Sequence, residues 1–525
     1  MPAERRLLWL FVAALAIVYG AVIWEVAHAD YSLVDDYRAF TLLHNGEAGR
    51  VLMKTITDWS ATDAWLYRPF PDAISYTLAA TLKAHPGVWR VLLILIRLGC
   101  IAIVFGLARA SASSLAAACA AAAYFACFPA LPELHLLRVE GWLTAFLAIV
   151  MLGWITFERG AHSDRRLQWL TAIAFVAATM SKEIMAPILM VFLVLLARHY
   201  WRRSRTLLVV MSAALLFQLG RFLLIFTDPY ARGGGSGGGV MRLAKNAFWV
   251  SKSMLLAATS FPLLSLALVV WIAAGLLALR RQSRVFAIGI LVLLALALAM
   301  AVVAPYSAIR YVYPAALLLV PLLAIGFPPR AAWASVMVIA LALFGGAQLV
   351  AQAASTRACS RADHELLREQ ASALAAGHDV LVVDDADFER GLWMRAELAG
   401  VDPRWAFLTY VAQQYERDQP VVWPPPPAGP VNLTRLVSTG GRFRNVRPTD
   451  LTPVDAFIVD ANPLIVPRGY CIVRRIDFRN DDRLIAPLVM FGRAAHLINP
   501  KFHFAYDLGE MVFPGYSWAV LKRNP

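Results

Sequence analysis

Charge is scarce in this chain, cysteine is rare, and compact metal motifs are missing altogether. Only 16% of the 525 residues are charged, whereas 59% are hydrophobic, and the mean hydropathy is +0.60. A water-soluble globule needs far more polar surface than this, so that class is excluded. The five cysteines form no Cys-x-x-Cys, and no His-Glu-x-x-His occurs, so no sharp metal site is read from the sequence. Cys100, Cys119 and Cys127 lie in or beside apolar runs and read as small packing residues. Cys359 and Cys471 lie in the polar C-terminal part, and the sequence leaves open whether they pair. The glycine run GGGSGGG (233–239) lacks the Gly-Lys-Ser/Thr ending of a phosphate loop and follows no strand. It reads as a flexible connection. A net charge of +14 would suit nucleic acid, but the arginines collect in short loops beside apolar runs, a pattern that orients membrane proteins instead.

What the chain does have is long apolar runs, each of roughly the 20 residues that a helix needs to cross a bilayer. They fall at 7–28, 88–109, 113–131, 141–157, 167–181, 185–199, 206–226, 261–279, 285–304, 313–328 and 331–352. The expected fold is therefore an α-helical polytopic membrane protein with about eleven transmembrane helices. The first run follows Arg5 and Arg6, and no small-residue cleavage site precedes Asp30, so it reads as a retained anchor. Arginine marks every second loop: Arg109, then Arg159, Arg165 and Arg166, then Arg198 to Arg205, then Arg280 to Arg284, then Arg330. By the positive-inside rule these loops are cytoplasmic, as is the N-terminus.

Two domains are expected. Residues 1–353 form the membrane part, with a long first outer loop (29–87) whose stretch VLMKTITDWSATDAWLYRPF suits helices lying on the membrane. Residues 354–525 change composition, with a proline run in VVWPPPPAGP and a strand pattern in DVLVVDD. They read as a soluble α/β or α+β domain on the extracytoplasmic side.

On this topology a set of ionisable residues gathers at the outer face. They are Asp35 and Asp36 in SLVDDYRAF, Arg68 in YRPF, and Glu133, His135, Arg138 and Glu140 in PELHLLRVEG. Lys182 and Glu183 in MSKEIMAP and Arg310 in IRYVYP complete it. Any one of them, taken alone, reads as a helix-end charge at the interface, and Asp35 or Asp36 as a helix cap. Ser-Lys-Glu is harder to explain that way, because only Lys182, Glu183 and Ile184 separate two apolar runs. A Lys-Glu pair there costs least if it faces a polar cavity. Taken together, carboxylates can accept a proton from a hydroxyl, while lysine and arginine can hold a phosphate.

The acidic pair in the first outer loop, the later Arg68-Pro69 and Ser181-Lys182-Glu183 at an outer hairpin resemble the GT-C membrane glycosyltransferases. The protein O-mannosyltransferase-like branch carries RP and SKE elements in the same order. DYRAF resembles the start of the first outer-loop helix in related glucosyltransferases, and Arg310-Tyr311 with Pro314 is similar to a further family element. The likeness covers about residues 7–352 and leaves the C-terminal part unassigned. It implies a sugar donor carried on a polyprenyl phosphate, undecaprenyl phosphate given the bacterial character of this Ala-, Arg- and Leu-rich chain. It implies an acceptor hydroxyl on an envelope glycan, lipid or protein, and the outer face of the cytoplasmic membrane as the place. Asp36 would be the base, with Asp35 beside it. Lys182, Arg310 and Arg68 would hold the donor phosphate. Glu133, His135, Glu140 and Glu183 would line the acceptor side. No cofactor and no metal ligand set is expected, and neither is a nucleic-acid partner.

Two other classes compete. A polysaccharide polymerase or ligase should carry a large arginine-rich outer loop late in the membrane part, whereas the largest loop here comes first and is acidic. A secondary transporter should show two matching halves with interrupted helices. Here the charges sit at one face.

Overall fold

A computed structural model describes residues 2–29, 68–82, 86–134, 136, 139–160, 164–182, 185–201, 204–227, 239–254, 262–303, 309–354, 356–358 and 360–361, together with strand residues 380–383, 436–438, 456–460, 470–477 and 517–523. A helix stands at each of the eleven apolar runs. In chain order the helices are α1 (Pro2–Ala27), α2 (Pro69–Leu82), α3 (Pro86–Ser111), α4 (Leu115–Ala126), α5 (Glu140–Glu158), α6 (Arg165–Thr179), α7 (Ala186–Tyr200) and α8 (Arg205–Thr227). Then follow α9 (Gly239–Met254), α10 (Pro262–Leu279), α11 (Arg284–Val303), α12 (Ile309–Gly326) and α13 (Ala331–Leu341). Beyond α13 the helix runs through a π turn at Ala342–Gly346.

Five of these helical runs are long and apolar enough to cross a membrane: Ala3–Ala27, Pro86–Ser111, Glu140–Glu158, Arg284–Val302 and Ala331–Ala358. Shorter apolar helices lie at Leu115–Ala126, Ala186–Tyr200, Arg205–Gly220, Leu263–Leu279 and Val312–Gly326. Large apolar side chains such as Ile17, Val194, Leu216 and Val336 point outward from them. So much exposed hydrocarbon suits acyl chains and would aggregate in water. The chain is a helical, polytopic membrane protein.

Composition explains the packing. Helix α4 reads LAAACAAAAYFA, is capped by the Ser114 hydroxyl, which accepts from Ala117 N, and is buried on every side. Small side chains let its neighbours come close, as membrane helices require when no hydrophobic effect pulls them together. Glycine extends the principle. A Cβ on Gly345 would overlap the Cys127 carbonyl oxygen, and one on Gly153 would overlap the Thr171 side chain. Helix α6 starts at Asp164, whose carboxylate accepts from Arg166 N and Leu167 N.

The two ends of the bundle differ chemically. At one end Arg159 Nη2 donates to Ser111 O at 2.9 Å, tying the end of α3 to the end of α5. His199 Nε2 lies 3.0 Å from Glu158 Oε1 there, and Tyr200 Oη donates to Gln168 O. The arginine-rich loops belong to this end. The candidate site lies at the other, where α3 and α5 begin and α6 finishes.

Among the described residues, two helices fall outside the eleven runs. Helix α2 covers Pro69–Leu82, and residues 51–67 of the stretch expected to lie on the membrane are outside the described residues. Helix α9 was not anticipated. Asn246 Nδ2 donates to Val302 O at the end of α11, and Tyr124 Oη donates to Met254 O. Helix α9 is thereby tied across the ends of α11 and α4, with Phe248 exposed.

In the C-terminal part, strands β1 (Val380–Val383), β2 (Leu436–Ser438), β3 (Ala456–Asp460), β4 (Tyr470–Asp477) and β5 (Ser517–Arg523) form one mixed sheet in the order β2-β1-β3-β5-β4. Strand β1 occupies the DVLVVDD stretch and runs parallel to β2 and β3, while β5 is antiparallel to β3 and β4. The β-branched and aromatic run in each strand suits a pleated surface. A register shift interrupts the β4–β5 ladder between Ile472 and Arg474.

Candidate active site

Two buried ion pairs stand beside each other at the start of α5. In the first, Lys182 Nζ donates to Glu140 Oε1 at 2.7 Å, with side chains 8% and 4% exposed. Glu140 is the first residue of α5, and Lys182 follows the end of α6. Ser181 tightens the turn between them by donating from Oγ to Ala177 O. In the second, Arg97 Nη1 donates to Glu133 Oε2 at 2.9 Å, with exposures of 0% and 6%. Glu133 belongs to a 3₁₀ turn, Pro132–Leu134, just before α5. Gly141 makes the two pairs neighbours: a Cβ there would come 3.0 Å from Glu133 Oε1, so any larger residue would crowd the carboxylate.

Arg97 is the most connected residue of the site. Its Nε donates to Tyr19 Oη at 2.8 Å and its Nη1 also to Ala130 O at 2.7 Å. Tyr19 Oη in turn donates to Ala126 O. The guanidinium lies 5.0 Å from the centre of the Tyr313 ring and 5.9 Å from that of Tyr19. One cation thus joins α1, α3, the α4–α5 connection and α12. Nearby, Arg90 donates from Nε to Leu134 O and from Nη1 to Ala29 O. Leu93, Ile96, Cys100 and Trp142 wall a small pocket next to the Arg97–Glu133 pair.

The expected site residues are placed as follows. Lys182, Glu133 and Glu140 are brought together. Glu140, expected on the acceptor side, is in direct contact with Lys182, expected to hold the donor phosphate. Arg310 is the second residue of α12, three positions before Tyr313, whose ring packs against Arg97. Arg68 is half-buried and directly precedes α2. Asp35, Asp36, His135, Arg138 and Glu183 lie outside the described residues, as do Cys359 and 233–238 of the glycine run. Among the described residues no cluster of three or more His, Cys, Asp or Glu could hold a metal ion.

Sequence reasoning missed Arg90, Arg97 and Tyr19. A usable signal was present: Arg97 falls two turns inside an apolar run, where an arginine is costly unless it is paired or faces a cavity.

No known family model matches this chain, and no curated protein matches it. Among solved structures, it is similar to ArnT from Cupriavidus metallidurans bound to undecaprenyl phosphate, with a TM-score of 0.42 and 14% identity over 89% of this chain and 96% of that one. It is also similar to the same protein in the apo state, with a TM-score of 0.40 and 15% identity over 87% of this chain and 93% of that one.

Proposed function

We propose that this protein is a GT-C type membrane glycosyltransferase that moves a sugar from a polyprenyl-phosphate donor to an acceptor hydroxyl at the outer face of the cytoplasmic membrane. The observation that carries this reading is the pairing of Lys182 with Glu140, beside Arg97–Glu133, at the bundle end away from the arginine-rich loops. Buried charge in a membrane bundle is expensive, and it collects where a polar substrate enters. The order of Arg68-Pro69, Ser181-Lys182-Glu183 and Arg310-Tyr311 supports the family assignment.

In this reading Asp36 takes the acceptor proton as the acceptor oxygen attacks the anomeric carbon. The bond from that carbon to the phosphate oxygen breaks with inversion, and Asp35 orients the loop. Lys182, Arg310 and Arg68 hold the phosphate and stabilise the charge that grows on it. Glu133, His135 and Glu183 border the acceptor. Residues 1–353 are the catalytic membrane domain with about eleven crossings. Residues 354–525 are an extracytoplasmic domain that docks the acceptor.

The test is direct. Purified full-length protein in nanodiscs is given a panel of polyprenyl-phosphate hexoses and pentoses together with an extract of envelope glycans, lipids and proteins as acceptor, and release of polyprenyl phosphate is followed by mass spectrometry. Consumption of at least one such donor, with nucleotide sugars left untouched, is expected. Turnover of a nucleotide sugar instead would overturn the assignment. Envelope glycans from a deletion strain would then identify the acceptor by the sugar they lack.

A further inference from the structure

Lys182 is held by a carboxylate at 2.7 Å, with both side chains nearly dry. In such surroundings charges act strongly on one another, so the carboxylate governs how an incoming anion senses the ammonium. The transfer itself changes the charge on the phosphate. In the donor it is a diester with one negative charge. When the acceptor oxygen bonds to the anomeric carbon, the carbon–oxygen bond to phosphate breaks and its electron pair stays on that oxygen. The acceptor proton passes to the Asp36 carboxylate. The phosphate leaves as a monoester carrying about 1.5 to 2 negative charges.

We propose that Glu140 is a specificity-determining residue of the phosphate site, set so that the singly charged diester donor binds in preference to the more highly charged monoester product. This inference rests on the proposed function above. A lysine alone would favour the product, because Coulomb attraction grows with the charge of the anion. Glu140 opposes that trend by meeting the extra charge with a like charge on the same ammonium, and the product is released. Its position suits the role. It opens α5, its backbone carbonyl accepts from Thr144 Oγ1 at 2.7 Å, and Gly141 next to it is packed against Glu133. Glu133 is itself matched by Arg97, and Glu140 is in contact with Lys182.

Binding of two chain-matched lipids to the purified full-length protein tests the proposal. One lipid is a polyprenyl monophosphate and the other its methyl phosphodiester, both titrated at pH 8, where the monoester is fully charged. Wild type is expected to bind the diester more tightly, and Glu140→Gln to bind the monoester about tenfold more tightly than wild type does, the size of a charge-assisted contact. A folded Glu140→Gln protein with no gain for the monoester would overturn the proposal. So would a wild type that binds the monoester as well as the diester or better, and this arm needs no variant to fold. A wild type that binds neither lipid would overturn the proposed function along with it, whereas binding of both without preference removes only the role of Glu140.

Discussion

Arg97, three turns into α3, donates at 2.9 Å to Glu133, which belongs to a short 3₁₀ turn 36 residues further along the chain. Tyr19 from α1 meets the same guanidinium, and the Tyr313 ring of α12 stacks against it. Position 313 lies one helical turn beyond Arg310, so the pair holds the start of α12 at the site where Lys182 and Glu140 meet. The ion pair is a positioning element, and its loss should register first in stability.

Arg97→Met leaves the Glu133 carboxylate buried without its cation, which is expected to cost about 3–5 kcal/mol. Thermal unfolding in detergent reads this as a large drop in midpoint. Arg97→Met combined with Glu133→Gln removes both charges and should recover much of the loss. A double variant as unstable as the single one would show that the cost lies in lost packing against Tyr19 and Tyr313.

Lys182→Met should lower use of the lipid donor about tenfold to a hundredfold, as expected for losing a charge-assisted phosphate contact. The same change takes from Glu140 the ammonium it faces, so it also weakens the fold. Adding Glu140→Gln separates the two effects: stability returns and donor use does not. Wild-type kinetics in a folded Lys182→Met protein would remove this residue from the mechanism.

For Asp36 the prediction separates a base from a helix cap by magnitude. Asn caps nearly as well as Asp, and a lost cap costs about 1 kcal/mol, whereas a lost general base costs about 10²–10⁴ in rate. Asp36→Asn is expected to be stable, to bind donor and to be almost inactive, with Asp35→Asn impaired less. Transfer near the wild-type rate would move the search for the base to Glu133 or Glu140.

Orientation is checked with a reporter that fluoresces only in the cytoplasm. Fused after Arg203 it should glow, and fused after Arg357 it should stay dark. The opposite pattern would put the Lys182–Glu140 site on the cytoplasmic face and would exclude an extracytoplasmic acceptor.

A chain ending after Arg361 keeps the 3.4 Å contact between Arg357 and Glu25, so the membrane part should still insert. We predict that it binds the donor lipid and fails to transfer to the native acceptor. Loss of donor binding in a correctly inserted truncation would assign the C-terminal part a role in the donor site.

Much of this organisation is local in origin, and that is why it was legible. A long run of apolar residues announces a helix without reference to any other part of the chain, and a helix stands at each of the eleven apolar runs, five of them long and apolar enough to cross a membrane. The strand in DVLVVDD announced itself in the same way, through β-branched residues. Helix α9 escaped because GVMRLAKNAFWVSKSM mixes cations with apolar residues. What makes it a fixed element is contact with Val302 and Tyr124, far away in sequence.

By itself the sequence determined that this is a helical membrane protein with arginine-rich loops between its apolar runs, and it singled out Glu133, Glu140 and Lys182 as charges needing an explanation. Only the tertiary structure decided their partners. Lys182 and Glu140 are 42 residues apart, and Arg97 and Tyr19 are 78. Hydropathy and spacing describe a stretch of chain and its neighbours, whereas an ion pair depends on how whole helices pack. That packing is set by the small residues of α4 and by glycines such as Gly141 and Gly345, where the absence of a side chain lets a carboxylate or a carbonyl approach.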